Sequence, residues 1–254
     1  MTPSALLPIP DRLIVLTFDD GHKSDITNAA PLLSEYGFGA TFFISEGLGV
    51  HDPAMDDQFL DWDDIRTLHN QGFEIGNHTK GHLDLTQLSE DQIRDEIRFI
   101  QRRCEEHQLP APISFCYPGF LHSPKVVDVV ADLGFAFARR GVSPEYHDNG
   151  SGARGPAYNP LEDHPLLIPT TGYAGPEWTL NDLVWAVDQA RGGKIASICF
   201  HGVPCRSYPW VSTENEVFAG YMRYLRDTGC TVISMGELSR YVNPKWVRGD
   251  PYES

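Results

Sequence analysis

The chain has little positive charge, no long apolar run and no paired-cysteine motif, and each shortage removes a class of protein. Its 254 residues carry 20 Lys and Arg against 35 Asp and Glu, a formal charge of −15. Nucleic acids and anionic membranes are held by basic side chains that neutralise phosphates, so this balance argues against both partners. No segment approaches the roughly 18 consecutive apolar residues of a membrane-spanning helix. The opening Met1-Thr2-Pro3-Ser4-Ala5-Leu6-Leu7-Pro8 has neither a basic stretch nor an apolar core of signal-peptide length. A cytoplasmic protein is therefore expected, unless a leader has been removed. Five cysteines (Cys104, Cys116, Cys199, Cys205 and Cys230) are odd in number, irregularly spaced and free of any C-x-x-C. Reduced, mostly buried thiols are the expectation.

What is present has the composition of an ordinary globular protein, 41% hydrophobic and 22% charged. Neither an internal repeat nor a linker divides it, so one domain is expected over residues 1–254. Strand-like runs recur at Leu13–Phe18, Ala40–Ile44, Phe73–Gly76, Ile113–Tyr117, Phe135–Ala138, Leu166–Ile168, Ile195–Phe200 and Thr231–Ser234. Helical stretches fall between most of them: Asn28 to Tyr36 and Trp62 to Gln71, each followed by Gly, and Glu214 to Asp227. Another starts at Glu90, with Ser89 and Gln92 forming a capping box, and one follows Thr179, with Asp182 at its third position. Such alternation predicts an α/β fold with a parallel sheet and covering helices, in which an open sheet and a closed barrel fit equally. The stretch from Ser143 to Trp178 is irregular, and its Tyr146, Tyr158, Tyr173 and Trp178 either line a sugar-binding groove or pin the loop to the body.

Asp19 and Asp20 follow the first strand in Leu16-Thr17-Phe18-Asp19-Asp20-Gly21-His22. Asn77-His78-Thr79-Lys80-Gly81-His82 follows another strand and sets two imidazoles four residues apart. Hydrolysis of an amide or ester near neutral pH needs a nucleophilic water, a Lewis acid, a base and an acid. His78, His82 and one of the two aspartates supply three ligands for a metal such as zinc, leaving a position for water. The other aspartate is then free to accept a proton. Neighbouring side chains on an extended segment point in opposite directions, so a bend at Gly21 is needed to aim both at one site. His201 ends a late strand in Ile198-Cys199-Phe200-His201. All of these groups fall at C-terminal ends of predicted parallel strands, the rim where α/β active sites assemble.

Thr17-Phe18-Asp19-Asp20-Gly21-His22 and His78-Thr79-Lys80-Gly81-His82 resemble, in order and separation, the first two motifs of the polysaccharide deacetylases of the NodB-homology type (carbohydrate esterase family 4). The resemblance runs from about Leu13 to Leu238. It implies an irregular (β/α)7-type barrel, a divalent metal, most often zinc, and removal of an acyl group from an amino sugar. It implies that Asp19 is the base, that Asp20, His78 and His82 ligate the metal, and that His201 protonates the leaving group. Ser114-Phe115-Cys116-Tyr117-Pro118-Gly119-Phe120 stands in place of the Arg-x-Pro-Tyr/Phe motif, where a backbone N–H at Tyr117 is expected to stabilise the oxyanion.

Two departures follow from the same resemblance. Cys116 stands where the family has the arginine that holds the catalytic aspartate, and no Asp-x-x-Asp-Trp is present between Gly119 and His201. Arg139-Arg140, at the end of the next strand, either supply the missing guanidinium or are two surface arginines. Cys116 is either an extra metal ligand or a buried structural thiol. The reading is a metal-dependent hydrolase removing an acetyl or other short acyl group from an N-acylated carbohydrate or a small N-acyl substrate. An amidohydrolase opening cyclic imides or ureides is one alternative, and a non-catalytic, metal-retaining carbohydrate-binding relative is another. Nothing in the chain specifies an oligomer or excludes one; Asn243-Pro244-Lys245-Trp246-Val247 packs either on the barrel or on a partner subunit.

Overall fold

A computed structural model describes residues 5–48, 57–143 and 153–245. Among them, strands and helices alternate as β1 (Leu13–Phe18), α1 (Ala30–Tyr36), β2 (Thr41–Ile44), α2 (Trp62–Asn70), β3 (Glu74–Asn77), α3 (Glu90–Glu106), β4 (Ser114–Cys116), α4 (Pro124–Asp132) and β5 (Phe137–Arg139). There follow β6 (Ala153–Arg154), β7 (Gly172–Tyr173), α5 (Leu180–Gln189), β8 (Ala196–Phe200), α6 (Asn215–Asp227) and β9 (Thr231–Ile233). The sheet order is β5-β4-β3-β2-β1-β8-β7-β6, with β9 also pairing β1. Every pairing is parallel except β6 with β7.

The sheet curls into a barrel because one run of chain laces its two ends together. Ile168 donates its N–H to Ala138 and receives that of Arg140, on the β5 side. A few residues on, Thr171 and Ala174 donate to Ser197 and Cys199 of β8. The predicted strand at Leu166–Ile168 is thus an irregular strap with ladder bonds and a single parallel bridge, Arg139 to Ile168. The α/β barrel expected from the sequence is what the chain forms.

Alternation along β1 sets which side chains reach the lumen. Ile14, Leu16 and Phe18 pack outward with α-helical residues such as Leu33, Leu183 and Phe218. Leu13 and Val15 point inward with Phe43, Cys116, Phe137 and Ile233. A strand buried on both faces reads as a continuous apolar run, which is why all of Leu13–Phe18 is buried. The same period of two carries Cys116 of β4 and Arg139 of β5 inward as cross-strand partners. Gly76 of β3 leaves room inside for Phe43, whose ring atom would lie 2.4 Å from an added Cβ.

Helix ends follow their local chemistry. Ser89 and Gln92 cap α3 reciprocally, Thr179 and Asp182 cap α5, and Asp61 and Asp64 cap α2. Helix α1 stops at Gly37, whose φ of 67° is left-handed. Helix α4 was not anticipated, although Ser123-Pro124 is a cap followed by proline at the first helical position. Within the irregular stretch, Tyr158 and Trp178 are buried and pin the chain to the barrel, whereas Tyr173 reaches the cavity described below. Tyr146, Trp246 and Val247 lie outside the described residues. All five cysteines are free, and all but Cys230 are buried. Among the described residues no helix is long and apolar enough to cross a membrane.

Candidate metal centre and active-site cavity

The lumen alternation of β1 extends one step past its end, so Asp19 points into the barrel. Asp20 would face the other way, but it takes a left-handed φ of 75°, as does Gly21. This double turn brings both carboxylates to the C-terminal mouth of the barrel. A left-handed aspartate is tolerated more readily than most residues, and such local strain persists only where surrounding contacts hold it. Thr79 and His82 also have positive φ, 68° and 51°. The loop after β3 therefore bends sharply enough to aim both imidazoles at the same point.

Oδ1 of Asp20 lies 3.4 Å from Nε2 of His78 and 3.5 Å from Nε2 of His82. Ligands about 2.0–2.1 Å from a common tetrahedral centre stand roughly 3.3 Å apart, so these spacings suit a divalent ion. Nδ1 of His78 is 2.8 Å from the Cys116 carbonyl, which takes its hydrogen and leaves the Nε2 lone pair facing Asp20. Asp20 Oδ1 is buried with no hydrogen-bond partner among the described residues. An unpaired buried carboxylate oxygen between two imidazoles is a donor set of the kind that zinc and similar ions accept. The residues fit the metal that the sequence implies.

Two other triplets of donor atoms come within 4.8 Å of one another, Asp19-Cys199-His201 and Asp19-His78-Cys116. Both depend on Asp19, and that carboxylate is already taken by a cation. Nη2 of Arg139 sits 2.5 Å from each of its oxygens. Arg139 is fully buried, its Nη1 donates to Thr170 Oγ1 at 2.8 Å, and its guanidinium lies over the rings of Phe43 and Phe120. The thiols of Cys116 and Cys199 reach Asp19 Oδ2 at 3.5 and 3.4 Å. Burial pushes both thiols upward in pKa even beside Arg139, so they face Asp19 as neutral groups. For Asp19 itself burial pulls upward, but Arg139, helped by His78 and His201, holds its carboxyl below the usual range.

Arg139 thus lies where the sequence asked for a guanidinium, delivered by the strand neighbouring Cys116. Arg140 does not share that position. Its Nε and Nη1 turn instead to the carbonyls of Leu167, Gly141 and Ser143. Tyr117 is also corrected: its N–H is spent on the Arg139 carbonyl at 3.2 Å, continuing the β4–β5 ladder, and its hydroxyl donates to the Leu166 carbonyl. Gly119, not Tyr117, borders the cavity. Counted place by place from Cys116, the four-residue motif ends on Gly119, and that count was the available signal.

His201 lies with Nε2 3.9 Å from Asp20 Oδ2, while its Nδ1 is buried without a hydrogen-bond partner among the described residues. Burial lowers its pKa, with Asp20 and Asp19 pulling the other way. The cavity above these groups has a volume of about 330 Å3. Asp19, Asp20, His78, His82 and His201 line it together with Leu48, Phe120, Tyr173, Tyr208 and Trp210. Sequence reasoning did not find Leu48, Phe120, Tyr208 or Trp210, since each lies on a loop that only the fold brings to the mouth.

The profile of the family described as polysaccharide deacetylase matches residues 8–138, just over half the chain. A peptidoglycan-N-acetylglucosamine deacetylase of Bacillus cereus is 28% identical over 134 residues, 51% of this chain and 56% of that protein. A chitooligosaccharide deacetylase of Bradyrhizobium is 27% identical over 138 residues, 52% of this chain and 58% of that protein. The chain spans about half the length of the curated relatives it matches. Among solved structures, a family 4 acetyl xylan esterase from Clostridium thermocellum, in complex with cobalt, superposes with a TM-score of 0.58. It is 22% identical, and the match covers 93% of this chain and 96% of that one, a likeness of fold.

Proposed function

Because the chain belongs to the polysaccharide deacetylase family, the NodB-like carbohydrate esterases of family 4, we propose that it is a metal-dependent deacylase of N-acylated carbohydrates. The observation that carries this reading is the buried Asp20 oxygen at 3.4 and 3.5 Å from two imidazole nitrogens, on the floor of a cavity it shares with Asp19 and His201. The names of the relatives, for peptidoglycan N-acetylglucosamine and chitooligosaccharide, support an acetylated amino sugar as substrate.

Asp20, His78 and His82 would hold the ion, with zinc the expected metal. Bound there, a divalent ion supplies a Lewis acid for the acyl carbonyl and lowers the pKa of a water. Asp19 stays ionised at neutral pH beside Arg139 and accepts the proton of the attacking water. Arg139 is a positioning residue: it fixes the carboxylate and keeps it anionic in a site that burial would otherwise neutralise. His201 borders the same cavity and delivers a proton to the departing nitrogen as the carbon–nitrogen bond breaks. Phe120, Tyr173, Tyr208 and Trp210 give the walls flat apolar faces suited to a sugar ring.

The deciding experiment loads the protein with Zn2+ and offers N-acetylated sugars, N-formylated sugars and cyclic imides side by side. Release of acetate from chitooligosaccharide or peptidoglycan fragments is expected, with Asp19→Asn slower by about 10²–10⁴-fold, the usual worth of a general base. Turnover of the cyclic imides alone would replace this reading with an amidohydrolase. Metal uptake without turnover of any substrate, unchanged in Asp19→Asn, would leave a binding module.

A further inference from the structure

The turn that carries Asp20 runs on into His22, a buried residue that the chemistry above leaves without a task. Its ring is 2% exposed and lies between Phe59 and Tyr208, with centroids at 5.0 and 6.1 Å. Nε2 of His22 is 3.8 Å from Asp20 Oδ2. That is the oxygen opposite the one facing His78 and His82. Sγ of Cys205, on the loop after β8, is 3.5 Å from the same Nε2 and receives the Tyr208 N–H at 3.3 Å. The His22 N–H donates to the buried carboxylate of Asp25 at 3.1 Å, which fixes the turn from below.

The β8 loop is stitched to this segment at further points. Val203 donates its N–H to Ser24 Oγ at 2.9 Å, and Asn28 Nδ2 donates to the Val203 carbonyl at 2.7 Å. Gly202 permits the approach, because an added Cβ would fall 2.9 Å from both Ser24 Oγ and the Cys205 Cα. One loop therefore touches the residue behind Asp20 and also supplies Tyr208, Trp210 and Val211 to the cavity wall.

We propose that His22 is a positioning residue for the metal centre: it holds Oδ2 of Asp20 so that Oδ1 alone faces the ion, and Cys205 holds His22. The inference rests on Asp20 being a ligand, as argued above. A carboxylate hinged at a left-handed turn can rotate to offer either oxygen or both. A buried imidazole nitrogen fixed beside one oxygen favours a single orientation before the ion arrives. Groups that orient a ligand in this way typically contribute about 10–100-fold in metal affinity.

The test titrates the metal-free full chain with Zn2+ against a chromophoric chelator, a readout that needs no turnover. His22→Phe keeps a ring between Phe59 and Tyr208 and removes only the nitrogens. It is expected to bind Zn2+ about 10–100-fold more weakly, while His22→Gln, which restores an N–H donor, recovers part of the loss. Cys205→Ala is expected to weaken binding by less than His22→Phe. Wild-type affinity in a His22→Phe protein with native circular dichroism overturns the inference and leaves the functional reading standing. A wild-type chain that takes up no Zn2+ overturns both. Should His22→Phe fail to fold, Cys205→Ala decides, and wild-type affinity there overturns the proposal.

Discussion

At the N-terminal end of the barrel, Glu74 opens β3 with donors on both oxygens. Ser114 Oγ donates to Oε1 at 2.6 Å, and Thr41 Oγ1 and the Gly236 N–H donate to Oε2 at 2.6 and 2.7 Å. At the C-terminal end, Asp20 is buried where Glu74 is half-buried, yet its Oδ1 has no hydrogen-bond partner among the described residues and faces two imidazole nitrogens. Both groups border cavities, and the one beside Glu74 is larger, about 450 Å3 against about 330 Å3. Cavity volume thus favours the Glu74 end, whereas unfilled acceptors favour the Asp20 end. A carboxylate saturated by its own fold ties strands together and has little left to offer a ligand. One left short of partners costs stability and so points to something outside the chain that completes it.

The contrast breaks most visibly under paired substitutions. Asp20→Asn is expected to lose bound metal and to slow turnover by at least about 10³-fold, the scale of losing electrostatic stabilisation of the transition state. Glu74→Gln should keep metal content and rate near wild type and lower unfolding free energy by about 1–3 kcal/mol, because a donor replaces one acceptor. Metal analysis, initial rates and urea denaturation on the same preparations check both halves. A Glu74→Gln protein that folds normally but loses its metal would erase the distinction.

A second comparison lies within the C-terminal cluster, where Asp19 is saturated and Asp20 is not. Arg139→Met strands Asp19 in a fully buried site, and breaking such a pair typically costs about 3–5 kcal/mol. The pH dependence has a definite sign. The folded carboxyl of Asp19 is held below its unfolded value, so the pair's contribution is complete above about pH 4 and fades as pH falls through the folded value. Without Arg139, burial dominates and raises Asp19, so the variant's own deficit shrinks in acid. The stability gap between the two proteins should therefore be wide at pH 7 and narrow at pH 3.5. An equal gap at both, by denaturant titration, would show that Arg139 acts through packing against Phe43 and Phe120 instead.

Much of this was readable in the sequence, for reasons the residues make plain. The run Leu13–Phe18 is apolar because both faces of β1 are covered, and its period of two already aims Asp19 inward. The need to turn Asp20 back was also legible, although the left-handed residue is Asp20 as well as the glycine after it. Arg139 could be nominated because a missing cation at Cys116 required a substitute. Choosing it over Arg140 took the register of β4 against β5, which pairs Cys116 with Arg139. The N–H of Tyr117 was misjudged because ladder bonds depend on the neighbouring strand, not on the motif's own letters. Helix α4 escaped notice because its valines at 126, 127, 129 and 130 favour strands, and packing of that face overrides the preference.

The smallest expected effect concerns the rim, where the polar floor of the cavity gives way to aromatic rings. Trp210 is 61% exposed, an unusual position for so large an apolar surface, and its ring lies 5.3 Å from that of Tyr208. Exposed aromatic surface beside the proposed active-site cavity suits contact with an arriving substrate. A stacked ring is worth about 0.5–1.5 kcal/mol, so Trp210→Ala should raise KM by about 2–12-fold. The rate at saturation should hold, since Trp210 stands apart from Asp19 and from the proposed ligands and contributes equally to bound substrate and transition state. Steady-state kinetics on a chitooligosaccharide series would separate the two constants. A fall in kcat at unchanged KM would move Trp210 from the rim's binding surface into the machinery of the floor, and the division between the two would then fail.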